Sequence, residues 1–400
     1  MKILIFYASY GGGHLSAARS IKQYIEQNYE EYEIKMVDCM KYINLGIEKV
    51  TTNAYKLMAK DVPWAWGRIY KLSDKGPIYH ISNFNNKVMS IKLNNLFREY
   101  NPDIVISTHP FSTQMTAWLK QLKLTKCKLA SIMTDFAPQN QWLVGHKYID
   151  YIFVSNKEMK NKIAKKKISE EKIFVTGIPL SNRFLENFDR EKIKKSFGLD
   201  LNKRTILFFG GGEFGLGKDR TVKILESFIN NTRDIYQMVV ISGKNEKMYE
   251  RFTNLVKEKE AKDCVKVFGY TNQVPELMSI SDLVVTKPGG LTITESLASG
   301  LPIVAINPIP GQEEENAEFL ENAEVAIWLR KHDNQDEVIT KLLSDPSKLY
   351  SMKIKCSQNY WVFNLINYYL YPHKSLLRAH FITNVGQNTL MILRGLIKVT

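Results

Sequence analysis

Short apolar runs alternate with amphipathic stretches along much of this chain. KILIFYA (2–8), EIKMVD (33–38), DIVIST (103–108), KLASIMT (128–134) and YIFVSN (151–156) each read as a buried strand. Helical spacing occupies intervals between them, as in 14–28 and 111–121, so the first half predicts strands and helices alternating around a parallel sheet. After GIPLSNRF (177–184) and a charged stretch, the pattern returns in RTILFFG, QMVVISG, CVKVFGY, DLVVTKPGG and LPIVAINP, between 204 and 308. Near-continuous Val, Ile and Leu is what a strand covered on both faces requires. The expected class is α/β, with two doubly wound, Rossmann-like domains facing across a cleft. Their expected bounds are 1–180 and 181–355, followed by a basic, aromatic tail at 356–400.

Composition narrows the setting. With 400 residues, 44% of them hydrophobic, the chain can bury two cores. Cys39, Cys127, Cys264 and Cys356 are widely spaced and form no CxxC pair, which argues against a disulfide framework or a thiolate zinc site and suits a reducing cytoplasm. The opening MKILIFYASYGGG breaks at glycines and lacks a signal-peptide cleavage region. No stretch reaches the roughly 18 apolar residues that span a bilayer, so membrane contact is expected to be peripheral.

The net charge of +14 is uneven. Lys plus Arg outnumber Asp plus Glu by 26 to 15 in residues 1–180 and by 4 to 0 in 361–400, whereas residues 181–360 hold 25 against 26. Such ends suit an anionic lipid surface, or simply solubility. No zinc finger, RNP-like signature or helix-turn-helix pattern accompanies them, so nucleic acid is not an expected partner. In TTNAYKLMAKDVPWAWGRIYKLSDKGPIYH (51–80), Trp64 and Trp66 lie among Lys56, Lys60, Arg68, Lys71 and Lys75. That mixture fits a headgroup interface, and it equally fits two core tryptophans beside solvated lysines.

Open parallel sheets bind ligands beyond the carboxyl ends of their strands, so the residues placed there have first claim on chemistry. After the first run come Gly11, Gly12, Gly13 and His14, where a helix should begin. Glycines admit a ligand close to the backbone, and a helix N-terminus offers unpaired N–H groups. In the second half, TKPGGLTITESLASGLPIVAINPIPGQEEENAEFL (286–320) places Gly289, Gly290 and Thr292 at a helix start and Glu295 inside that helix. A pyrophosphate could sit on the glycines while Glu295 accepts ribose hydroxyls. Gln312 and Glu313 open a further helix with groups that can hydrogen-bond sugar hydroxyls, and Gly300 reads as a helix C-cap.

GGGHLSAA together with KPGGLTITESLASGLPIV and PIPGQEEENAEFL resembles the monogalactosyldiacylglycerol synthase and processive diacylglycerol glucosyltransferase family, relatives of MurG with a two-domain GT-B fold. The resemblance spans about residues 1–355. It implies that the first domain meets the membrane and the lipid acceptor while the second holds a UDP-sugar. It further implies Glu295 for the ribose, Gln312 and Glu313 for the donor sugar, and His14 as the base that activates the acceptor. Thr134 and Asp135 of MTDFAPQNQW match the family's Thr-Asp stretch, with Asp135 the alternative base. Gly210, Gly211 and Gly212 of FFGGGEFG would face the diphosphate. Two departures stand out: Gln139, Asn140 and Gln141 lead to Trp142 where relatives often place a polar residue such as His, and residues 361–400 do not look like the family's usual ending. His109 of STHPF is open between a turn residue and an acceptor contact.

The expected activity is inverting transfer of a hexose, glucose before galactose, from a UDP-sugar to diacylglycerol at the inner face of the cell membrane. No Asp-x-Asp element is present, so neither a metal nor another cofactor is expected. Other readings are a UDP-GlcNAc-dependent enzyme of the same build, acting on a polyprenyl lipid or as an epimerase, and a nucleotide-sugar-sensing protein that binds a membrane surface without catalysis.

Overall fold

The computed structural model describes residues 1–9, 12–43, 67–68, 72, 86–210, 218–232 and 235–362. They divide into two compact units, one running to Asn182 and the other from Arg183 to Tyr360. Each unit is built on a six-stranded parallel sheet.

The first sheet contains β1 (Lys2–Tyr7), β2 (Glu33–Asp38), β3 (Ile104–Ser107), β4 (Lys128–Ile132), β5 (Tyr151–Val154) and β6 (Ile173–Val175), in the order β2-β1-β3-β4-β5-β6. Helix α1 (Gly12–Asn28) follows β1, and α2 (Pro110–Gln121) follows β3. Ile3 to Phe6 and all of β3 are buried, as strands flanked by helices on both faces must be. The chain leaves β1 toward β2 and returns on the other side as β3. The β1/β3 boundary is therefore the point where strand order reverses, the usual ligand position of such sheets.

The second sheet contains β7 (Arg204–Phe209), β8 (Tyr236–Ile241), β9 (Val265–Phe268), β10 (Leu283–Thr286), β11 (Ile303–Ile306) and β12 (Ala326–Leu329), in the order β12-β11-β10-β7-β8-β9. Its reversal lies between β7 and β10. Helices α3 (Lys218–Thr232), α4 (Glu246–Glu258), α5 (Gly290–Ala298), α6 (Gln312–Asn322) and α7 (Pro346–Val362) belong to this stretch of chain, and α7 runs unbroken through residues 355 and 356.

Two strands are additional to those the hydrophobic pattern predicts. Both β6 and β12 are edge strands of three and four residues, and their apolar runs, IFV and AIWL, are short and only partly buried. All four cysteines are buried and free. Among the described residues no helix is long and apolar enough to cross a membrane. Trp64, Trp66, Lys56, Lys60, Lys71, Lys75 and the tail from residue 363 lie outside the described residues, as do Gly11, Gly211 and Gly212.

Candidate functional site

In the first unit, residues just beyond β1, β3 and β4 converge on His14. The imidazole lies in the first turn of α1, with Nδ1 2.6 Å from the carbonyl oxygen of Thr108 and 3.0 Å from Thr134 Oγ1. A carbonyl can only accept, so Nδ1 carries the proton and shares it between the two oxygens, leaving a lone pair on Nε2. Thr108 also fixes the helix turn from the other side. Its hydroxyl donates to the carbonyl of His14 at 2.9 Å, and its backbone N–H donates to Phe6 at the end of β1.

Loss of solvent lowers the pKa of His14 from 6.5 to about 4, with the Thr108 hydrogen bond acting weakly in the opposite direction. The imidazole is thus neutral at physiological pH. Burial is the main cause of the shift, and no carboxylate among the described residues pairs with the ring.

His109, Trp142 and Asp135 complete the surroundings. His109 is buried at the N-cap of α2, where its Nδ1 accepts the N–H of Phe111 at 3.2 Å, and its ring meets that of His14 edge to face. Trp142 is 1% exposed, with its ring centroid 6.4 Å from that of His14. Gln141 is tied inward: Gln114 Nε2 donates to its backbone and side-chain oxygens, both at 2.7 Å, while Gln114 accepts from Asn86 at 2.6 Å. The Gln-Trp departure therefore serves packing around the histidine. Asp135 is buried next to Thr134, and Ser155 Oγ donates to its carbonyl at 2.8 Å.

In the second unit, β10 ends in Lys287-Pro288-Gly289, and α5 begins at Gly290 with no side chain capping its N-terminus. The loop is anchored from beneath. Thr286 Oγ1 and the Gly289 N–H both donate to the Lys287 carbonyl, and buried Asn316 of α6 donates to that of Pro288 at 3.1 Å. A methyl group built at Gly289 would stand 3.8 Å from Glu313 Oε1, and one at Gly12 would meet no atom within 4 Å. Protein packing therefore does not require glycine at either position. Gly210 differs, because a Cβ there would lie 2.4 Å from the Phe252 ring of α4. Its missing side chain is a packing requirement.

Glu295, in the second turn of α5, has its carboxyl pKa raised to about 8 by burial, with no hydrogen bond or ion pair to a described residue. Gln312 and Thr292 are half-buried, and no side-chain hydrogen bond is found for either among the described residues. Glu313 is partly committed, since its Oε2 accepts the N–H of Ile309 at 2.7 Å. Gly311, at φ +97° in backbone space reserved for glycine, gives its N–H to Glu314 at 2.9 Å. Two of the three consecutive glutamates thus hold the turn that opens α6. Gly300, at φ +66°, forms the left-handed end of α5 as its sequence position implies. Thr108, Lys287 and Asn316 lie inside the STHPF, KPGGLTITESLASGLPIV and PIPGQEEENAEFL stretches without being singled out there; the signal that could have found them is a place just after a buried strand or one turn into a helix.

Residues 14–180 match the family described as Monogalactosyldiacylglycerol (MGDG) synthase, and residues 189–359 match Glycosyl transferases group 1. The processive diacylglycerol beta-glucosyltransferase of Bacillus pumilus is 33% identical over 355 residues, covering 88% of this chain and 89% of the relative. A glycosyltransferase of Rickettsia africae superposes with a TM-score of 0.57 at 15% identity, covering 100% of this chain and 99% of that one. The UDP-GlcNAc 2-epimerase of Neisseria meningitidis does so with a TM-score of 0.58 at 12% identity, covering all of both chains. A transferase and an epimerase lie equally near in structure, so that likeness establishes the fold alone. Sequence similarity separates them, and by it this chain belongs to the family of processive diacylglycerol beta-glucosyltransferases, with the two doubly wound domains of the GT-B class.

Proposed function

We propose that this chain transfers glucose from a UDP-sugar to the free hydroxyl of diacylglycerol, giving a β-glucosyldiacylglycerol. The observation that carries the reading is the tautomer of His14, whose Nδ1 proton is held by the Thr108 carbonyl at 2.6 Å so that Nε2 is a vacant base. In the reaction the acceptor hydroxyl gives its proton to Nε2 as its oxygen bonds to the sugar C1. The bond from C1 to the β-phosphate oxygen breaks, and its electron pair leaves with UDP. One displacement inverts an α-linked donor to a β-glycoside.

The second domain supports the donor half of this reading. Glu295 accepts the ribose hydroxyls, and Gln312 and Glu313 face the sugar. The uncapped N-terminus of α5 offers N–H groups to the diphosphate. The leaving charge is met by these groups with no divalent metal. The excess of Lys and Arg in residues 1–180 supports peripheral attachment to an anionic bilayer, where the acceptor resides.

The test incubates the full chain with radiolabelled UDP-glucose, UDP-galactose or UDP-GlcNAc and detergent-dispersed diacylglycerol, in the presence of EDTA, then counts label in the organic phase. Label from UDP-glucose in a β-linked lipid is expected, and it should fail to appear with His14→Ala. Transfer only from UDP-GlcNAc, to a polyprenyl phosphate, or its conversion to the 2-epimer without an acceptor, would replace this reading. A requirement for added metal would remove the metal-free leaving-group assignment.

A further inference from the structure

The second domain leaves a carboxyl and an ammonium without a partner among the described residues, within one strand, loop and helix. Glu295 is one. The other is Lys287, the first residue beyond β10, whose ammonium makes no hydrogen bond or ion pair with a described residue although its side chain is half-buried. Burial lowers its pKa from 10.5, and the nearby Glu313 carboxylate offsets that only in part. A partly buried ammonium normally has a partner, because something must replace the water it loses. Here the local acid is held elsewhere: Glu313 Oε2 accepts the Ile309 N–H, and its Oε1 faces Gly289.

We propose that Lys287 binds the diphosphate of the donor and stabilises the charge that grows on the β-phosphate as the sugar leaves. This deepens, and rests on, the UDP-sugar reading above. Three features meet at this loop. The carbonyls of Lys287 and Pro288 are turned away and satisfied by Thr286, Gly289 and Asn316, so they do not compete for the anion. The N-terminus of α5, starting three residues after Lys287, has no side-chain cap. Gly289 between them carries no side chain, although packing alone would tolerate one.

An anionic group beside a vicinal diol supplies a partner to each, the anion to Lys287 and the diol to Glu295. A nucleoside diphosphate has that chemistry. Lys287 neither gives nor takes a proton in the step. It supplies a fixed positive charge where the electron pair of the broken C1–O bond arrives, and such a charge is worth more in the transition state than in the bound donor.

The test compares the full wild-type chain with Lys287→Met and Lys287→Arg by isothermal titration with UDP, UMP and uridine. Lys287→Met should weaken UDP about tenfold or more, UMP less, and uridine hardly at all. Lys287→Arg should recover much of the UDP affinity. A companion measurement needs no variant: lysine acetylation of the wild-type chain, read by mass spectrometry, should show Lys287 protected by UDP and unprotected by uridine. Equal UDP-to-uridine affinity ratios in wild type and Lys287→Met, or acetylation of Lys287 unaffected by UDP, would overturn the proposal while leaving the donor site intact. A wild-type chain that binds no UDP would overturn both, and so separates the two failures. If Lys287→Met does not fold, the acetylation result decides alone.

Discussion

The rings of His14 and His109 meet edge to face, with centroids 4.6 Å apart and planes at 76°, and their hydrogen bonds fix opposite tautomers. His14 donates through Nδ1 to Thr108, whereas His109 accepts through Nδ1 from Phe111 and so carries its proton on Nε2. Burial lowers both pKa values, that of His14 to about 4, and protonating either ring opposes protonation of the other. A pKa lowered on folding means that the unfolded chain binds more protons in acid. The stability held by these neutral rings is therefore complete above about pH 6.5 and drains away as the pH falls toward 4. The midpoint of urea unfolding should drop between pH 7 and pH 5, with His14 accounting for at most about 2 kcal/mol. A His14→Gln variant should be less sensitive over that range; an identical pH dependence would show the ring to be solvated.

A base with a pKa near 4 is already deprotonated across the neutral range, so turnover should not titrate there. The rate of glucosyl transfer at saturating donor is expected to be flat from about pH 8 to pH 6 and to fall only where the fold itself weakens. His14→Ala should reduce turnover by about a hundredfold to ten-thousandfold, the usual loss for a general base, with UDP affinity unchanged. Circular dichroism must match wild type for the comparison to count. A folded variant with near-normal turnover would move the role to Asp135.

Thr134 reaches His14 through Oγ1 at 3.0 Å, from the loop after β4, and acts on the reaction only by holding the ring. Thr134→Val keeps the shape and removes the acceptor, leaving Thr108 as the one oxygen on Nδ1. Turnover should fall about tenfold, as expected for losing one hydrogen bond of about 1 kcal/mol or slightly more. The KM for UDP-glucose should stay in place, and Thr134→Ser should restore the rate. A Val variant that changes donor KM and turnover together would show that Thr134 does something other than position the base.

How much of this could be read from the sequence depends on which physical force placed each residue. Central strands such as β1, β3 and β7 were legible because a strand covered on both faces is apolar nearly throughout, and the edge strand β2, exposed at alternate residues, coincides with EIKMVD residue for residue. The edge strands β6 and β12 escaped because each offers an apolar run of only three or four residues, IFV and AIWL, too short to stand out from its surroundings. At the site, His14 and Glu295 were legible as ionisable residues beside glycine turns. Thr108 was not, since its part is played largely by a backbone carbonyl, and any residue type supplies one. Lys287 opens the KPGG stretch, but a lysine in a charged chain is not set apart until its lack of a partner among the described residues is visible in three dimensions.

The charge excess of the first 180 residues makes a prediction about lipid. The protein should sediment with vesicles containing phosphatidylglycerol more than with pure phosphatidylcholine vesicles. The difference should shrink when salt is raised from about 0.05 M to 0.5 M, as screening shortens the reach of surface charges. Replacing Trp64 and Trp66 together should lower binding further at either salt concentration. Equal sedimentation with both vesicle types at both salt concentrations would eliminate the electrostatic account of attachment.

Glu295 sets stability against binding, and pH separates the two. Its folded-state pKa of about 8 lies above the ordinary 4.5, so in the free protein the protonated carboxyl is the favoured form. Keeping it ionised becomes a cost as pH rises above 4.5, a cost complete once pH passes about 8. Glu295→Gln removes that cost, and the variant should unfold at higher urea than wild type at pH 8, by on the order of 1–3 kcal/mol, with little difference near pH 4.5. Ligand affinity should move the other way. If the ionised carboxylate accepts the ribose hydroxyls, UDP binding releases a proton, and wild-type affinity should climb with pH up to about 8. In Glu295→Gln that climb should vanish, and affinity at pH 8 should be about tenfold or more below wild type. A variant that is stabilised yet binds UDP like wild type would place the ribose elsewhere; one neither stabilised nor weakened would mean that the carboxylate is solvated and idle.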